Sequence, residues 1–264
     1  MLPLSSRLSG QTAFVTGATS GIGEACARHL AAAGVHLVLA ARRGDLLRAS
    51  AEGLRAAHQV QVEALELDVR DGDAIAQLAG ERADLLSRVD ILVNNAGLAR
   101  GVDPVQSGSP ADWAEMLDTN VLGLLQVTRA ILPHMVARGS GHVVNLGSTA
   151  GHWVYPGGAV YCATKHAVNA LTQGMRMDLH GTGVRVTSVD PGLVETNFSK
   201  VRFQGDEARA RKVYEGMIPL TPDDIAETVL WCLSRPLHVN IQEVILMPTD
   251  QSSVTMVHRR AGNP

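Results

Sequence analysis

Short apolar runs alternate with longer helix-patterned segments along the whole chain, and this alternation constrains the fold more than any other feature. The runs occupy residues 12–16, 35–41, 60–67, 90–93, 142–146, 185–189 and 243–247. They are rich in Val, Ile and Leu and bounded by Gly, Asp or Asn. Such runs suit parallel strands covered on both faces better than half-exposed antiparallel ones. Helical periodicity fills the intervals at 23–33, 45–57, 71–87, 112–137, 159–180 and 222–233. A strand that returns parallel to its predecessor needs a right-handed crossover. The pattern therefore predicts an α/β fold, a doubly wound seven-stranded parallel sheet with helices on both faces. No linker or repeat divides the chain, so residues 1–264 are read as one domain. At 45% apolar and 19% charged, it has enough to bury a full core.

Residues 201–216 break the alternation with a polar, charged stretch after the sixth strand. With its flanks, 196–220, it is read as a substrate lid, and 249–264 as a C-terminal tail. The segments 112–137 and 159–180 carry more apolar residues than one buried stripe requires, which predicts a subunit interface. Net charge is −3, and the only adjacent arginine pairs are Arg42-Arg43 and Arg259-Arg260. That excludes a nucleic-acid footprint and a polybasic membrane anchor. Cys26, Cys162 and Cys232 stand apart without CxxC, and the ten histidines lack HExxH, so neither disulfides nor a metal site are expected. The opening MLPLSSRLSG lacks the apolar core of a signal peptide. A cytoplasmic protein without membrane or nucleic-acid partners is the expectation.

Directly after the first run stands Thr16-Gly17-Ala18-Thr19-Ser20-Gly21-Ile22-Gly23, opening the first helix. A pyrophosphate needs close backbone approach, positive φ in the turn and free helix N-terminal N–H groups. Gly17, Gly21 and Gly23 supply these, and the Thr19 and Ser20 hydroxyls add donors. Without GK[ST], a nucleoside-triphosphate P-loop is excluded. The second run ends in Ala41-Arg42-Arg43, with no carboxylate for a ribose 2′-OH. Guanidinium groups match a 2′-phosphate instead, so NADP is favoured over NAD.

Tyr161-Cys162-Ala163-Thr164-Lys165 places a phenol and an amine at i and i+4 on one helix face. A phenol titrates near pH 10, and a nearby cation lowers that value toward useful acid–base work. Ser148 follows the fifth run, where its hydroxyl meets a substrate oxygen at the sheet's carboxyl edge. It lies outside any GxSxG elbow, which leaves hydrolase chemistry little support.

The turn 16–23, Asp68-Val69, Asn94-Asn95-Ala96-Gly97, Asn120, Ser148, Tyr161, Lys165 and Pro191-Gly192 resemble the short-chain dehydrogenase/reductase superfamily in order and spacing, over essentially the whole chain. The resemblance implies a Rossmann fold and hydride transfer with a nicotinamide cofactor. It makes Asn120, Ser148, Tyr161 and Lys165 catalytic, with Tyr161 as general acid/base and Asn120 holding a relay water. Asp68 and Val69 then contact the adenine, Asn95, Ala96 and Gly97 support the adenosine ribose, and Pro191, Gly192, Val194 and Thr196 cradle the nicotinamide. A homotetramer is implied too.

Segments such as 147–155, 178–182, 191–194, 201–206, 238–241 and 247–248 are similar to the NADP-dependent 3-hydroxy acid dehydrogenases of serine and allo-threonine. A small hydroxy acid carries a carboxylate that must be paired once buried. Arg202 is the candidate clamp, with the Tyr155 hydroxyl assisting. His152 stands where that subgroup has a smaller residue. Reduction of bulkier neutral ketones or sugars, and a non-enzymatic NADPH sensor, are the alternatives.

Overall fold

The computed structural model describes residues 7–260. Residues 1–6 of the opening segment and 261–264 of the tail lie outside the described residues. In chain order the elements are β1 (Thr12–Thr16), α1 (Gly21–Ala32), β2 (His36–Ala41), α2 (Gly44–His58), β3 (Val62–Glu66), α3 (Gly72–Glu81), α4 (Ala83–Leu86) and β4 (Ile91–Asn94). Then follow α5 (Pro110–Leu117), α6 (Leu124–Arg138), β5 (Gly141–Leu146), α7 (Ala159–Asp178), β6 (Val184–Pro191), α8 (Phe198–Arg202), α9 (Glu207–Lys212), α10 (Pro222–Leu233) and β7 (Glu243–Leu246). All seven strands run parallel, in the order β3-β2-β1-β4-β5-β6-β7. The order reverses between β1 and β4. Ligands of open α/β sheets bind outside the strands' carboxyl ends at such a switch.

The strand residues divide the core in two, as their period of two dictates. Ala13 and Val15 of β1, Leu37 and Leu39 of β2 and Ile91 and Val93 of β4 pack with α1, α2 and α10. Phe14, Val38 and Leu92 face the other way, against Ile131 and Met135 of α6. Burying one such side chain stabilises the fold by about 1.5–3 kcal/mol. Two-sided burial explains why these strands read as unbroken apolar runs. β7 departs from the expectation of two covered faces, because it is the sheet edge and Ile245 is exposed.

Two helices expected to be continuous are interrupted. Segment 71–87 breaks at Arg82, whose backbone leaves helical geometry (φ −123, ψ 33), giving α3 and α4. Segment 112–137 contains a π-helical turn, Asp118–Gly123, between α5 and α6. The extra residue turns the Asn120 side chain inward, where it meets the Leu98 backbone. Gly123 fits the close approach beside it, since a Cβ there would stand 2.8 Å from Val69 Cγ2.

The insertion after β6 holds α8 and α9 over the carboxyl edge of the sheet. Its far end is tied to the tail: Ile218 N donates to Asp250 Oδ2 at 2.8 Å, and Arg260 Nη2 pairs with Asp250 Oδ1 at 2.8 Å. Among the described residues, no helix is long and apolar enough to cross a membrane.

Candidate active site

A cleft of about 610 Å³ opens at the carboxyl edge of the sheet. The turn after β1 forms one end. Gly17 and Gly21 have φ of +66 and +59, conformations that a side chain would strain. Asn95 locks the turn from behind: its Nδ2 donates to Thr16 O at 2.9 Å and Gly17 O at 3.3 Å. Thr16 Oγ1 accepts from the Asn95 and Ala96 backbone at 3.0 and 2.9 Å. Gly23 lies behind the wall, where a Cβ would stand 2.4 Å from Asn95 Nδ2 and 2.5 Å from Gly17 O. Its absence of a side chain lets helix, strand and turn close together. Ser20 begins α1 without a side-chain cap. The first-turn N–H groups thus lack a side-chain acceptor, the arrangement that suits an anion.

Arg43 reaches back over this turn. Its Nη2 donates to Thr19 Oγ1 at 2.8 Å and Ser20 Oγ at 3.1 Å. Both hydroxyls accept from the guanidinium, which leaves their own protons free to donate. Arg42 lines the same end, and the Ala41 position brings no carboxylate. Asp68 and Val69 line the wall beside them. Asp68 pairs with Arg70 at 2.6 Å, and that hydrogen bond holds its carboxyl below the usual range.

The catalytic candidates converge at the other end. Ser148, Tyr155, Tyr161, Lys165 and Arg202 all line the cleft, as do Gly97, Pro191, Gly192, Val194 and Thr196. Lys165 is buried and its Nζ donates to Leu146 O at 2.7 Å, 6.0 Å from the Tyr161 ring centroid. Burial pushes its ammonium down to about 8, with the Asp190 carboxylate opposing. The Lys165 ammonium and the Tyr161 phenol face the same cleft. Burial raises the phenol, and the first opposing charge is Arg202, whose guanidinium carbon lies 5.0 Å from the ring centroid. The amine is turned onto the Leu146 carbonyl, while the guanidinium faces the ring. The Ser148 hydroxyl, which donates to Pro191 O at 3.4 Å, also favours the phenolate. Ser148 Oγ accepts from Ala150 N at 3.1 Å.

Asn120 is not in the cleft wall. Its Nδ2 donates to Leu98 O at 2.8 Å and Thr164 Oγ1 at 3.0 Å, and its Oδ1 accepts from Leu98 N at 2.8 Å. The side chain therefore joins the loop after β4 to α7 directly.

Arg202, at the end of α8, donates from Nη2 to Tyr155 Oη at 2.8 Å. Its Nε is buried without a hydrogen-bond partner among the described residues. Arg202 O accepts from Gly101 N at 2.9 Å, and Val201 O from Arg100 Nη1 at 2.8 Å. The loop after β4 thereby fixes the end of α8.

Sequence reasoning missed Tyr214 and Gln251. Tyr214 Oη donates to Val194 O at 2.8 Å and meets Ser199 Oγ at 2.9 Å. Gln251 Oε1 accepts from Leu193 N at 2.8 Å, holding the segment after Pro191. A signal for Tyr214 existed: the chain has three tyrosines, and all three line this cleft. Gln251 sits in a patternless tail that offers none.

Residues 11–207 match the family described as short chain dehydrogenase. The NADP-dependent 3-hydroxy acid dehydrogenase of Salmonella typhi is 47% identical over 248 residues, 93% of this chain and 98% of that protein. Sulfoacetaldehyde reductase 2 of Chromohalobacter salexigens is 46% identical over 90% of this chain and 94% of its own. A solved structure, the closed form of serine dehydrogenase complexed with NADP+, superposes with a TM-score of 0.87 at 44% identity, covering 95% of this chain and 100% of that one. With the family match covering residues 11–207 and these identities over nearly the whole chain, the chain belongs to the short-chain dehydrogenase family.

Proposed function

We propose that this protein is an NADP-dependent oxidoreductase that interconverts a small 3-hydroxy acid and its carbonyl form, with Tyr161 as the general acid/base. The cofactor is NADP. The glycine turn and uncapped start of α1 suit its pyrophosphate, and Arg42, Arg43 and the Thr19 and Ser20 hydroxyls suit its 2′-phosphate. Asp68, Val69 and Asn95 to Gly97 line the adenosine stretch, and Pro191, Gly192, Val194 and Thr196 the nicotinamide end.

When bound, the cofactor supplies or accepts hydride at the substrate carbon. The chain's own residues manage the proton. Tyr161 Oη gives its proton to the carbonyl oxygen on reduction and takes it back on oxidation. Ser148 orients that oxygen by hydrogen bonding. Lys165 contributes an ammonium that holds the nicotinamide ribose and favours the phenolate. Asn120 fixes the loop–helix junction behind Lys165. Its amide protons are both spent on Leu98 O and Thr164 Oγ1, and the residue sits in a π turn, where a relay water would be held.

The substrate reading rests on the unpartnered, buried Nε of Arg202. A buried guanidinium donor without an acceptor costs about 1–3 kcal/mol, and a carboxylate satisfies it bidentately. A carboxylate held there stands next to the Tyr161 ring, with Tyr155 Oη already bonded to the same guanidinium. The segment 196–220 is the lid that brings Arg202 into place. The exposed Leu117, Leu122 and Met177, on or between α5 and α7, support association into a homotetramer, and a cytoplasmic site accords with the reaction.

A panel of substrates read by NADPH oxidation tests this function. Malonic semialdehyde and sulfoacetaldehyde should be reduced, and 3-hydroxypropionate, serine and allo-threonine oxidised with NADP. Turnover confined to neutral ketones or sugars would contradict the substrate class. NADPH binding without turnover of any carbonyl would contradict the enzyme.

A further inference from the structure

Behind Lys165 lies a second acid–base assembly that the reaction above does not use. Asp190, near the end of β6, is 0% exposed. Its Oδ2 lies 2.6 Å from His152 Nε2, and its Oδ1 accepts from the Ser188 hydroxyl at 2.5 Å. Asn169, one turn beyond Lys165 on α7, brings its Nδ2 to 3.1 Å from the same imidazole nitrogen. Glu243 Oε1, from β7, stands 3.7 Å from it. The carboxylate presses on Gly147, where a Cβ would stand 1.8 Å from Asp190 Oδ1. The preceding residue, Leu146, is the one whose carbonyl accepts the Lys165 ammonium. Carboxylate and ammonium thus sit against adjacent residues at the end of β5.

The 2.6 Å contact identifies what His152 and Asp190 share. Two ligands of one tetrahedral zinc, at bonds of about 2.0–2.1 Å, stand roughly 3.3 Å apart. At 2.6 Å the two atoms are at hydrogen-bonding distance. The imidazole side chain is 19% exposed, so the pair reaches solvent at one edge only.

We infer that His152 and Asp190 are positioning residues for the proposed reaction: a proton-sharing pair that keeps a negative charge beneath Lys165 and so holds the lysine as an ammonium while the phenol exchanges its proton. The groups against the pair are Ser188 from β6, Asn169 from α7 and Glu243 from β7, with the Lys165 ammonium held on the adjacent Leu146 carbonyl. Burial pushes the Asp190 carboxyl up, with Ser188 and His152 opposing; burial pushes Lys165 down, with Asp190 opposing. Removing the imidazole therefore favours a neutral Asp190, and a neutral Asp190 withdraws the charge that supports the ammonium. The inference rests on the catalytic role given to Lys165.

The sign is fixed by the direction of each shift. The ammonium is present below about 8 and lost above it, so weaker support brings its loss to lower pH. Asp190→Asn should move the alkaline limb of kcat/KM for carbonyl reduction down by about one pH unit. His152→Gln and Ser188→Ala, which each remove one support of the Asp190 carboxylate, should move it the same way by less. NADPH affinity measured by fluorescence across pH should show the same ordering, because the ammonium holds the ribose. That readout needs no substrate, so a failed substrate panel leaves the pair testable. Variants that remain folded by circular dichroism, lose kcat uniformly and keep the wild-type limb in both readouts would overturn the inference. If Asp190→Asn fails to fold, the other two variants decide.

Discussion

The two ends of the cleft are built by different means. At the cofactor end the backbone does the work: glycines at positive φ, an uncapped helix start, and Asn95 bonded to the carbonyls of the turn it supports. At the substrate end, long side chains meet across the chain. Arg202 reaches Tyr155 from 47 residues away, and Arg100 reaches Val201 from 101. The first construction leaves few replacements possible and repeats a local pattern. The second depends on single side chains that meet only in the folded chain. One end is thus fixed by local backbone geometry, and the other by contacts between distant side chains.

The comparison can be broken most sharply at the point where the ends meet. Tyr161→Phe should lower turnover by about 10³-fold, within the range of general acid–base catalysis, while NADPH still binds with near-normal affinity. Activity close to wild type would place the proton transfer elsewhere. Next in size is Gly23→Ala. A Cβ would collide with Gly17 O and Asn95 Nδ2, costing about 1–3 kcal/mol of stability and weakening NADPH binding together with it. Thermal unfolding and fluorescence titration measure both; an unchanged pair of values would show that the cofactor end is less backbone-determined than argued. Arg42→Ala is the mildest. The NADPH-over-NADH preference in kcat/KM should fall by about tenfold, the size of one charge-assisted contact. An unchanged preference would leave Arg43, with Thr19 and Ser20, as the whole 2′-phosphate site.

What could be read from the amino-acid order follows the same division. The strands were legible because each buries both faces, as Phe14 and Val15 do on opposite sides of β1. Gly17, Gly21, Tyr161 and Lys165 were legible because their geometry is local, set by a turn or by one helical repeat. The break at Asp118–Gly123 was not, since it depends on Asn120 meeting Leu98 from 22 residues away. Nor was the cation closest to the phenol. Spacing pointed to Lys165, whereas the folded insertion brings Arg202 nearer the ring. The Asp190–His152 pair was likewise hidden, because 38 residues separate its members and neither belongs to a motif.

The claim that the substrate end reads a carboxylate through one side chain is tested most directly by Arg202→Ala, assayed on a 3-hydroxy acid and on a neutral alcohol of similar size. The account predicts a KM for the acid raised by about 10–100-fold, the range of a lost charged hydrogen bond, with the KM for the neutral alcohol within about twofold of wild type. An equal change for both substrates would contradict it.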